Sequence, residues 1–298
     1  MNNLIKKASQ ILYRHKSVIF SCIGLAIILI AINILSTGIY NHFSRSTVSE
    51  NLASTGSEQT DSSSTASTCN VLGINLHGEL YTYIPEKNSD ELISNKDVVA
   101  SESIMLSIQQ AQSDDDIKAI IVEVDSPGGY PVAGEEIANA IKESTKPVVA
   151  FIRQTGASAA YWAISSADKI FASKNSDVGS IGVTTSYLDN VSKNKKEGLT
   201  YVQLSAGKYK DAGNPDKPLT EEEKALIVRD LKIVHENFIQ TIATNRNIPI
   251  EKVRAIADGS TVLGDKAKQL GLIDSIGGYS EVKKYIEEKI GEKPQVCW

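Results

Sequence analysis

The spacing of apolar and polar positions beyond the first 70 residues predicts an α/β domain. Short runs rich in β-branched residues at Val71–Leu76, Ala119–Val124 and Pro147–Ile152 have the length and composition of buried strands. Between these runs, apolar residues recur at helical spacing over Val99–Ala111 and Val132–Ser144. Strand, helix and strand therefore alternate, which is the pattern of βαβ units around a parallel sheet.

The same pattern continues more loosely towards the middle of the domain. A turn is predicted at Ser126–Gly129, because proline and two glycines follow a strand. A short apolar helix is predicted at Ser158–Ala167, and strands at Lys169–Ala172 and Ile181–Thr184. With no repeat of fixed period and no sign of a second domain, residues 71–298 are expected to form one domain.

The last third of the chain is predicted to be mainly helical. Thr220 and Glu223 have the spacing of a capping box at the start of a long amphipathic helix. Shorter helices are expected at Ile250–Ala257 and Ser280–Ile290. The apolar face of the long helix consists of Ile227, Leu231, Val234, Phe238 and Ile242.

The N-terminal part of the chain has the pattern of a membrane anchor. Nineteen uncharged residues at 18–36 include twelve Val, Ile, Leu or Phe, enough for a helix to cross a bilayer. The alternative is a cleaved signal peptide, but the apolar run is long for one and no small-residue cleavage site follows it closely. We therefore expect a retained transmembrane helix.

The distribution of basic residues predicts the orientation of this helix. Residues 1–17 contain four Lys or Arg, whereas Arg45 is the only one in the fifteen residues after the helix. The N-terminus is therefore expected in the cytoplasm, with the rest of the cell-membrane protein on the extracytoplasmic side. Residues 37–70 are rich in Ser and Thr, which predicts a flexible tether between the anchor and the domain.

Composition excludes several classes of function. The net charge is −5 and no basic run lies outside the first sixteen residues, so nucleic acid is not an expected partner. There is no HExxH motif and no cluster of Cys and His, so no metal is expected. Cys22 lies in the predicted anchor, whereas Cys69 and Cys297 are either unremarkable thiols or a disulfide formed in an oxidising compartment.

Two short segments contain candidate catalytic residues. Ser158 lies among small residues where a loop enters an apolar helix, and Lys210 lies in a loop that follows Gly207. A serine and a lysine can cleave a peptide bond if burial lowers the pKa of the lysine enough to make it neutral. A Ser-His-Asp triad would instead need His77 or His235, but neither has a local signature, and both are interpreted as structural or solvent-facing.

The third requirement is a group that stabilises the oxyanion. The glycines of the Ser126–Gly129 turn allow backbone N–H groups to approach a carbonyl oxygen closely. Four segments in this order resemble the signature of the signal peptide peptidase A (protease IV) family of membrane-anchored serine peptidases. The segments are Asp125–Gly129, Gly156–Trp162, Gly179–Val183 and Gly207–Asp211.

The resemblance implies a role for each matching residue. Ser158 matches the nucleophile of the family and Lys210 its general base, and Lys208 is the neighbouring lysine against which Lys210 must be tested. Gly129 matches the amide of the oxyanion hole, with Gly128 in the same turn. Ser180 matches a serine whose hydroxyl orients the lysine.

The resemblance also implies an architecture and a substrate class. The expected fold is the crotonase-like (Clp-protease-like) α/β fold, assembled as a homo-oligomeric ring or dome on the membrane. The expected substrates are signal-peptide remnants or other apolar peptides, with small apolar side chains preferred and no cofactor needed. A non-catalytic membrane scaffold of the same fold and a crotonase-like acyl-CoA enzyme are the alternatives.

Overall fold

The computed structural model describes residues 69–84 and 97–298. The predicted anchor at 18–36 and all but the last two residues of the predicted tether at 37–70 lie outside the described residues. Of the helices that are described, none has both the length and the apolar character needed to span a bilayer.

Strands and helices alternate through most of the described chain. The strands are β1 (Val71–Tyr81), β2 (Val98–Ala100), β3 (Ala119–Gly129), β4 (Val148–Ala157), β5 (Lys169–Ala172), β6 (Asp177–Gly179), β7 (Thr261–Leu263), β8 (Ser275–Ile276) and β9 (Val296–Cys297). The helices are α1 (Ser101–Ser113), α2 (Pro131–Lys142), α3 (Ala159–Ile164), α4 (Val191–Lys196), α5 (Glu221–Asn245), α6 (Ile250–Ile256), α7 (Gly264–Leu270) and α8 (Tyr279–Ile290).

A parallel sheet forms the centre of the domain, in the order β2-β1-β3-β4-β5-β8. β9 adds to the start of β1 in parallel, and β6 pairs with the end of β4 and with antiparallel β7. The central strands are apolar on both faces because helices cover both sides of the sheet. The predicted α/β architecture is confirmed.

Two helical layers bury the two faces of the sheet. On one face, α1, α2, α3 and α5 contribute buried side chains such as Ile108, Ile137 and Phe238. On the other face, Val282 and Ile286 of α8 pack against the sheet. The larger of the two layers contains the short helix α3. The residues at the start of α3 therefore pack against a dense core.

The long predicted helix is confirmed as α5, together with its capping box. The Thr220 hydroxyl accepts a hydrogen bond from the Glu223 N–H at 3.2 Å, and the Glu223 carboxylate accepts one from the Thr220 N–H at 3.0 Å. Both bonds satisfy N–H groups that the first turn of a helix leaves without partners.

Two local predictions differ in kind from the structure, and the helix predicted at Val99–Ala111 begins only at Ser101 because Val99 and Ala100 pair in β2. The segment Ser126–Gly129 is the end of strand β3 and not a turn outside it. The predicted strand at Ile181–Thr184 is absent, and β6 ends before it at Gly179. At Gly182 the backbone packs so closely on Gly259 that an added Cβ would lie 2.8 Å from the Gly259 Cα atom. The segment at Ile181–Thr184 therefore contacts the loop at Gly259 instead of pairing with a strand.

A disulfide joins the two ends of the domain. Cys69 precedes β1 and Cys297 lies in β9, and their Cα atoms are 5.7 Å apart. The final residue, Trp298, packs on β1 at Gly73, where an added Cβ would lie 2.4 Å from the indole ring. The C-terminus is therefore held against the first strand by backbone pairing, side-chain packing and a covalent bond.

Removing this disulfide is expected to destabilise the domain without abolishing the site. Cys297→Ser should lower the free energy of unfolding by about 2–5 kcal/mol, because the bond closes a very long loop in the unfolded chain. Thermal unfolding of the purified full-length protein in detergent measures this. A reductant should lower the stability of the wild type to that of the variant and leave the variant unchanged. Equal stability of the two proteins without reductant would contradict the prediction.

Candidate active site

Ser158 lies at the junction between strand β4 and helix α3. β4 ends at Ala157 and α3 begins at Ala159, so Ser158 occupies the single residue between them at the carboxyl edge of the sheet. The edge formed by the carboxyl ends of parallel strands is where ligand sites occur in α/β folds. The small residues around Ser158 permit this abrupt change from strand to helix.

The backbone of Ser158 has an unfavourable conformation that its neighbours maintain. Its φ is 53° and its ψ is −129°, which costs a non-glycine residue about 1–3 kcal/mol. The Ser158 N–H donates to the Gly179 carbonyl at 2.7 Å, and the Ser158 carbonyl accepts from the Trp162 N–H at 3.0 Å. Such strain is typical of a nucleophile displayed on a sharp strand-to-helix turn.

The helix after Ser158 is rigidly held. All six residues of α3 are buried, and the Tyr161 hydroxyl donates to the Leu272 carbonyl at 2.8 Å. Burial raises the pKa of Tyr161 well above its ordinary value, so this hydroxyl remains a donor. The serine hydroxyl itself is half-buried and has no hydrogen-bond partner within 69–84 and 97–298.

Gly129 presents a backbone N–H beside Ser158. Gly129 is in register with Leu80 of β1, and the next residue, Tyr130, donates its N–H to the Leu80 carbonyl at 2.9 Å. Because successive N–H groups of a regular strand point in opposite directions, the Gly129 N–H is on the side of β3 away from β1. Gly129 and Ser158 line the same cavity. This is the geometry expected of an oxyanion donor.

Gly128 has a different function in the same segment. Its N–H donates to the Ser126 hydroxyl at 3.1 Å, and this hydroxyl donates to the Gly78 carbonyl at 2.5 Å. A Cβ on Gly128 would lie 2.7 Å from the Ser158 Cβ atom. Gly128 therefore allows the close approach of β3 to the serine, and its own N–H is already used.

The backbone N–H of Ala159 is a second candidate oxyanion donor, which sequence reasoning missed. Ala159 is the first residue of α3, and the first N–H groups of a helix have no partner within it. Its nitrogen faces Gly128, since a Cβ on that glycine would lie 2.9 Å away. The sequence could have indicated this residue. At other strand-to-helix turns that carry a nucleophile, the N–H of the next residue contributes to the oxyanion hole.

Ser158 opens into a cavity of about 440 Å³ that Ser180 also lines. The Ser180 hydroxyl donates to the Gly259 carbonyl at 2.9 Å, and the Ser180 N–H donates to the Ser260 carbonyl at 3.0 Å. A hydroxyl has one proton, so the Ser180 oxygen can only accept a further hydrogen bond. An ammonium or amine N–H is a suitable donor to it.

Lys210 does not line this cavity in the single chain. It lies in an exposed turn, with its N–H donating to the Gly207 carbonyl at 3.1 Å. Its side-chain nitrogen forms neither a hydrogen bond nor an ion pair with any residue of the described ranges. The structure thus brings Ser158, Gly129 and Ser180 together and leaves Lys210 apart.

The turn that contains Lys210 is nevertheless ordered by its neighbour Asp211. The Asp211 carboxylate accepts hydrogen bonds from the Tyr201 hydroxyl at 2.8 Å and from the Asn214 amide at 3.0 Å. The Tyr201 hydroxyl also accepts from the Asn214 amide at 2.9 Å. This network fixes the backbone on both sides of Lys210.

Lys208 forms an ion pair with Glu222. Its nitrogen lies 2.6 Å from a Glu222 carboxylate oxygen and 5.0 Å from the centre of the Tyr209 ring. The hydrogen bond to Glu222 raises the pKa of Lys208 above its ordinary value, and Tyr209 adds to this effect. A lysine held in its charged form is unsuitable as a general base, which argues against Lys208 in that role.

The structure places His235 in the wall of the Ser158 cavity, although sequence reasoning interpreted it as structural or solvent-facing. It lies on α5, beside Trp162 and Phe238, whose rings stack with centroids 4.6 Å apart. His235 is far from Ser158 in the sequence, so no local pattern indicated this position. Over the ranges that the structure describes, no group of His, Cys, Asp or Glu suits a metal ion.

A comparison with protein families covers the residues around Ser158. The model of peptidase family S49 matches residues 140–292, just over half of the chain. The matched segment includes Ser158, Ser180 and Lys210 and leaves out both glycines at the end of β3.

Individual relatives cover part of their own length. An inferred protease of Methanocaldococcus jannaschii is 36% identical over 183 residues, which are 61% of this chain and 59% of that protein. The chloroplastic serine protease SPPA of Arabidopsis thaliana is 30% identical over 194 residues, 64% of this chain and 29% of that protein. The chain thus spans about three fifths or less of the length of these curated relatives.

One solved structure with a related arrangement is a mutant of ClpP1 from Listeria monocytogenes. It is 16% identical in sequence and superimposes with a TM-score of 0.46. The match covers 72% of this chain and 94% of the ClpP1 chain.

Proposed function

This chain belongs to peptidase family S49, and on that premise we propose that it is a membrane-anchored serine endopeptidase with Ser158 as nucleophile. The observation that carries the proposal is the position of Ser158, strained at a strand-to-helix junction and beside the Gly129 N–H. A displayed hydroxyl next to preorganised N–H donors is what acyl transfer requires. The serine-protease name of the Arabidopsis relative agrees with this chemistry.

In the proposed mechanism, Lys210 is the general base. Its neutral amine takes the proton from Ser158 as the serine oxygen attacks the carbonyl carbon of a peptide bond. The N–H groups of Gly129 and Ala159 hold the resulting oxyanion. Lys210 then protonates the leaving amine, and the C–N bond breaks to give an acyl-enzyme. Finally a water molecule attacks this ester and gives a proton to Lys210. The bond between the acyl carbon and the serine oxygen breaks, Lys210 returns the proton to that oxygen, and the carboxylic acid product leaves.

A second copy of the chain is the proposed source of the lysine. Within one chain Lys210 is exposed and absent from the cavity, so a second chain would be needed to enclose its amine. The segment before it exposes Leu199, Val202 and Leu204, with Leu204 at 93% of its full exposure. Apolar side chains in such a segment favour contact with another subunit. Enclosing the Lys210 amine at that interface would favour its neutral form.

The proposed site of action is the outer side of the membrane, with apolar peptides as substrates. The anchor at 18–36 and the basic residues before it support this orientation. The disulfide between Cys69 and Cys297 also supports it, because such bonds persist in oxidising compartments. Peptides left in the membrane after secretion would be within reach of a domain on a tether of this length.

Mixing two inactive variants tests whether the dyad forms between subunits. Co-expressed Ser158→Ala and Lys210→Ala chains should regain activity, because a site with both functional residues forms where the two kinds of subunit meet. In a random mixture about one quarter of the sites would be complete. Cleavage of an apolar fluorogenic peptide by the purified mixed assembly measures this. An inactive mixture, from variants shown to co-purify, would place both residues in one chain or exclude Lys210 as the base.

A further inference from the structure

Ser180 lines the cavity beside Ser158 in a backbone conformation that a serine rarely adopts. Its φ is 51°, in the left-handed region that favours glycine. The residue before it, Gly179, accepts the hydrogen bond from the Ser158 N–H at 2.7 Å, so the two serines are held by adjoining residues. A conformation of this kind persists only where surrounding groups maintain it. The contacts of Ser180 therefore determine where its hydroxyl points.

These contacts come from one loop, residues 258–260, between α6 and β7. The Ser180 hydroxyl donates to the Gly259 carbonyl at 2.9 Å, and the Ser180 N–H donates to the Ser260 carbonyl at 3.0 Å. In the other direction, the Gly259 N–H donates to the Ile181 carbonyl at 3.2 Å. Three hydrogen bonds thus join the loop to the segment that contains Ser180.

Asp258 fixes the shape of this loop. Its Oδ1 atom accepts hydrogen bonds from the Ser260 N–H at 2.9 Å and from the Ser260 hydroxyl at 2.6 Å. These bonds lower the pKa of Asp258 below its ordinary value, so the group accepts them as a carboxylate at neutral pH. A side chain that accepts from the N–H two residues later forms an Asx turn, which sets the backbone in between. The direction of the Gly259 carbonyl therefore depends on Asp258.

The Gly259 carbonyl in turn decides how the Ser180 hydroxyl can act. A hydroxyl has one proton, and here that proton is used by the carbonyl, so the oxygen only accepts. A neutral amine has a single lone pair, which a general base needs for the proton of Ser158. A hydroxyl that was free to rotate would donate to this lone pair and compete with Ser158. Held by Gly259, it accepts an N–H of the amine and leaves the lone pair available.

We propose that Asp258 is a positioning residue for the catalytic lysine, which it serves by holding Ser180 as a hydrogen-bond acceptor through the loop 258–260. The inference rests on the proposed peptidase function with Lys210 as the base. Asp258 lines the same cavity as Ser158 and Ser180, so the loop lies at the site itself. Its carboxylate does not take part in the transfer of the proton and acts through Ser180.

A double-mutant cycle on the full-length protein tests the proposal. Asp258→Ala should lower kcat for an apolar fluorogenic peptide about tenfold with little change in KM, because the base is misplaced. Ser180→Ala should lower kcat at least as much. The double variant should be no slower than Ser180→Ala, within about twofold, because both changes break the same connection. Losses that multiply in the double variant would overturn the proposal, as would an unchanged kcat in a folded Asp258→Ala.

Asp258→Asn separates the shape of the turn from the charge. The amide oxygen of an asparagine accepts from the same two groups of Ser260, so this variant should keep kcat within about threefold of the wild type. If Asp258→Asn were as slow as Asp258→Ala, the negative charge itself would be required, and the positioning role would be wrong.

Asp114→Ala is the matched control. Asp114 forms the same kind of turn directly after α1, where its Oδ1 atom accepts from the Asp116 N–H at 2.9 Å, and it does not line the cavity. This variant should keep the kcat and KM of the wild type. A loss as large as that of Asp258→Ala would indicate a general effect of such turns on the fold and would contradict a specific role.

Asp258→Ser decides the question if Asp258→Ala does not fold, as judged by thermal unfolding in detergent. A serine hydroxyl forms the same turn more weakly, so kcat should lie between those of the wild type and Ser180→Ala. This smaller loss should disappear when Ser180 is already alanine. A loss that persists in the Ser180→Ala background would overturn the proposal.

Failure of the underlying function has a different result. A wild type that does not cleave the peptide and is not labelled at Ser158 by a fluorophosphonate would refute the peptidase proposal. A wild type that loses activity in the Ser158 and Lys210 variants but not in Asp258→Ala would refute this inference alone.

Discussion

Replacing Ser158 by alanine is expected to lower kcat for peptide cleavage by about 10⁶-fold, equivalent to about 8 kcal/mol of transition-state stabilisation. The reason is that Ser158 supplies the oxygen of the proposed acyl-enzyme beside the N–H groups of Gly129 and Ala159. The stability of the variant should change by less than about 0.5 kcal/mol, since the serine hydroxyl has no hydrogen-bond partner among the described residues. Cleavage of an apolar fluorogenic peptide and thermal unfolding measure the two effects.

A serine that does not line the cavity provides the control. The Ser166 hydroxyl, near the end of α3, donates to the Ala138 carbonyl at 2.7 Å. Ser166→Ala should keep activity within about threefold of the wild type. A fluorophosphonate should modify the wild type and Ser166→Ala at Ser158, as identified by mass spectrometry. Residual cleavage by Ser158→Ala at more than about one hundredth of the wild-type rate would refute Ser158 as the nucleophile.

Replacing Lys210 is expected to have the second-largest effect, a loss of kcat of at least about 10³-fold. Lys210→Arg should be as inactive as Lys210→Ala, because an arginine remains protonated and cannot accept the serine proton. The pair of variants separates a base from a side chain that only supplies positive charge. Steady-state cleavage of the same apolar peptide measures kcat for both variants.

Lys208→Ala is the matched control for the lysine. Its nitrogen is bound to Glu222, and its side chain is 65% exposed, so its removal should change kcat less than about threefold. Equal losses in the Lys208 and Lys210 variants would indicate that the turn as a whole is needed, and the base would remain unassigned. An active Lys210→Arg would refute the role of Lys210 as base.

Regular elements of the fold were predictable because their patterns are local. The β-branched run at Ala119–Val124 is part of β3, and the capping box at Thr220 begins α5 where the spacing indicated. The strand predicted at Ile181–Thr184 was wrong. Its composition suits a strand, but contact with the loop at Gly259 takes the place of strand pairing. Composition does not show whether a short segment will pair with a strand or contact a loop.

The candidate site was predictable only in part, for the same reason. Ser158 and Gly129 were candidates because each lies in a short motif of glycines and small residues, and the structure places both at one cavity. The hydrogen bond from the Gly128 N–H to the Ser126 hydroxyl was not predictable. It depends on the orientation of that hydroxyl between β1 and β3. The sequence also did not predict that His235 lines the cavity beside Ser158.

The sequence by itself determined the alternation of strands and helices from β1 to β4, the strand-to-helix junction at Ser158 and the apolar run at 18–36. Each follows from residues that are close together in the chain. Only the tertiary structure decided that His235 lies beside Ser158, that Cys69 is bonded to Cys297 and that Lys210 is exposed in a single chain. These facts depend on contacts between distant segments, which packing of the whole domain creates and no local spacing encodes.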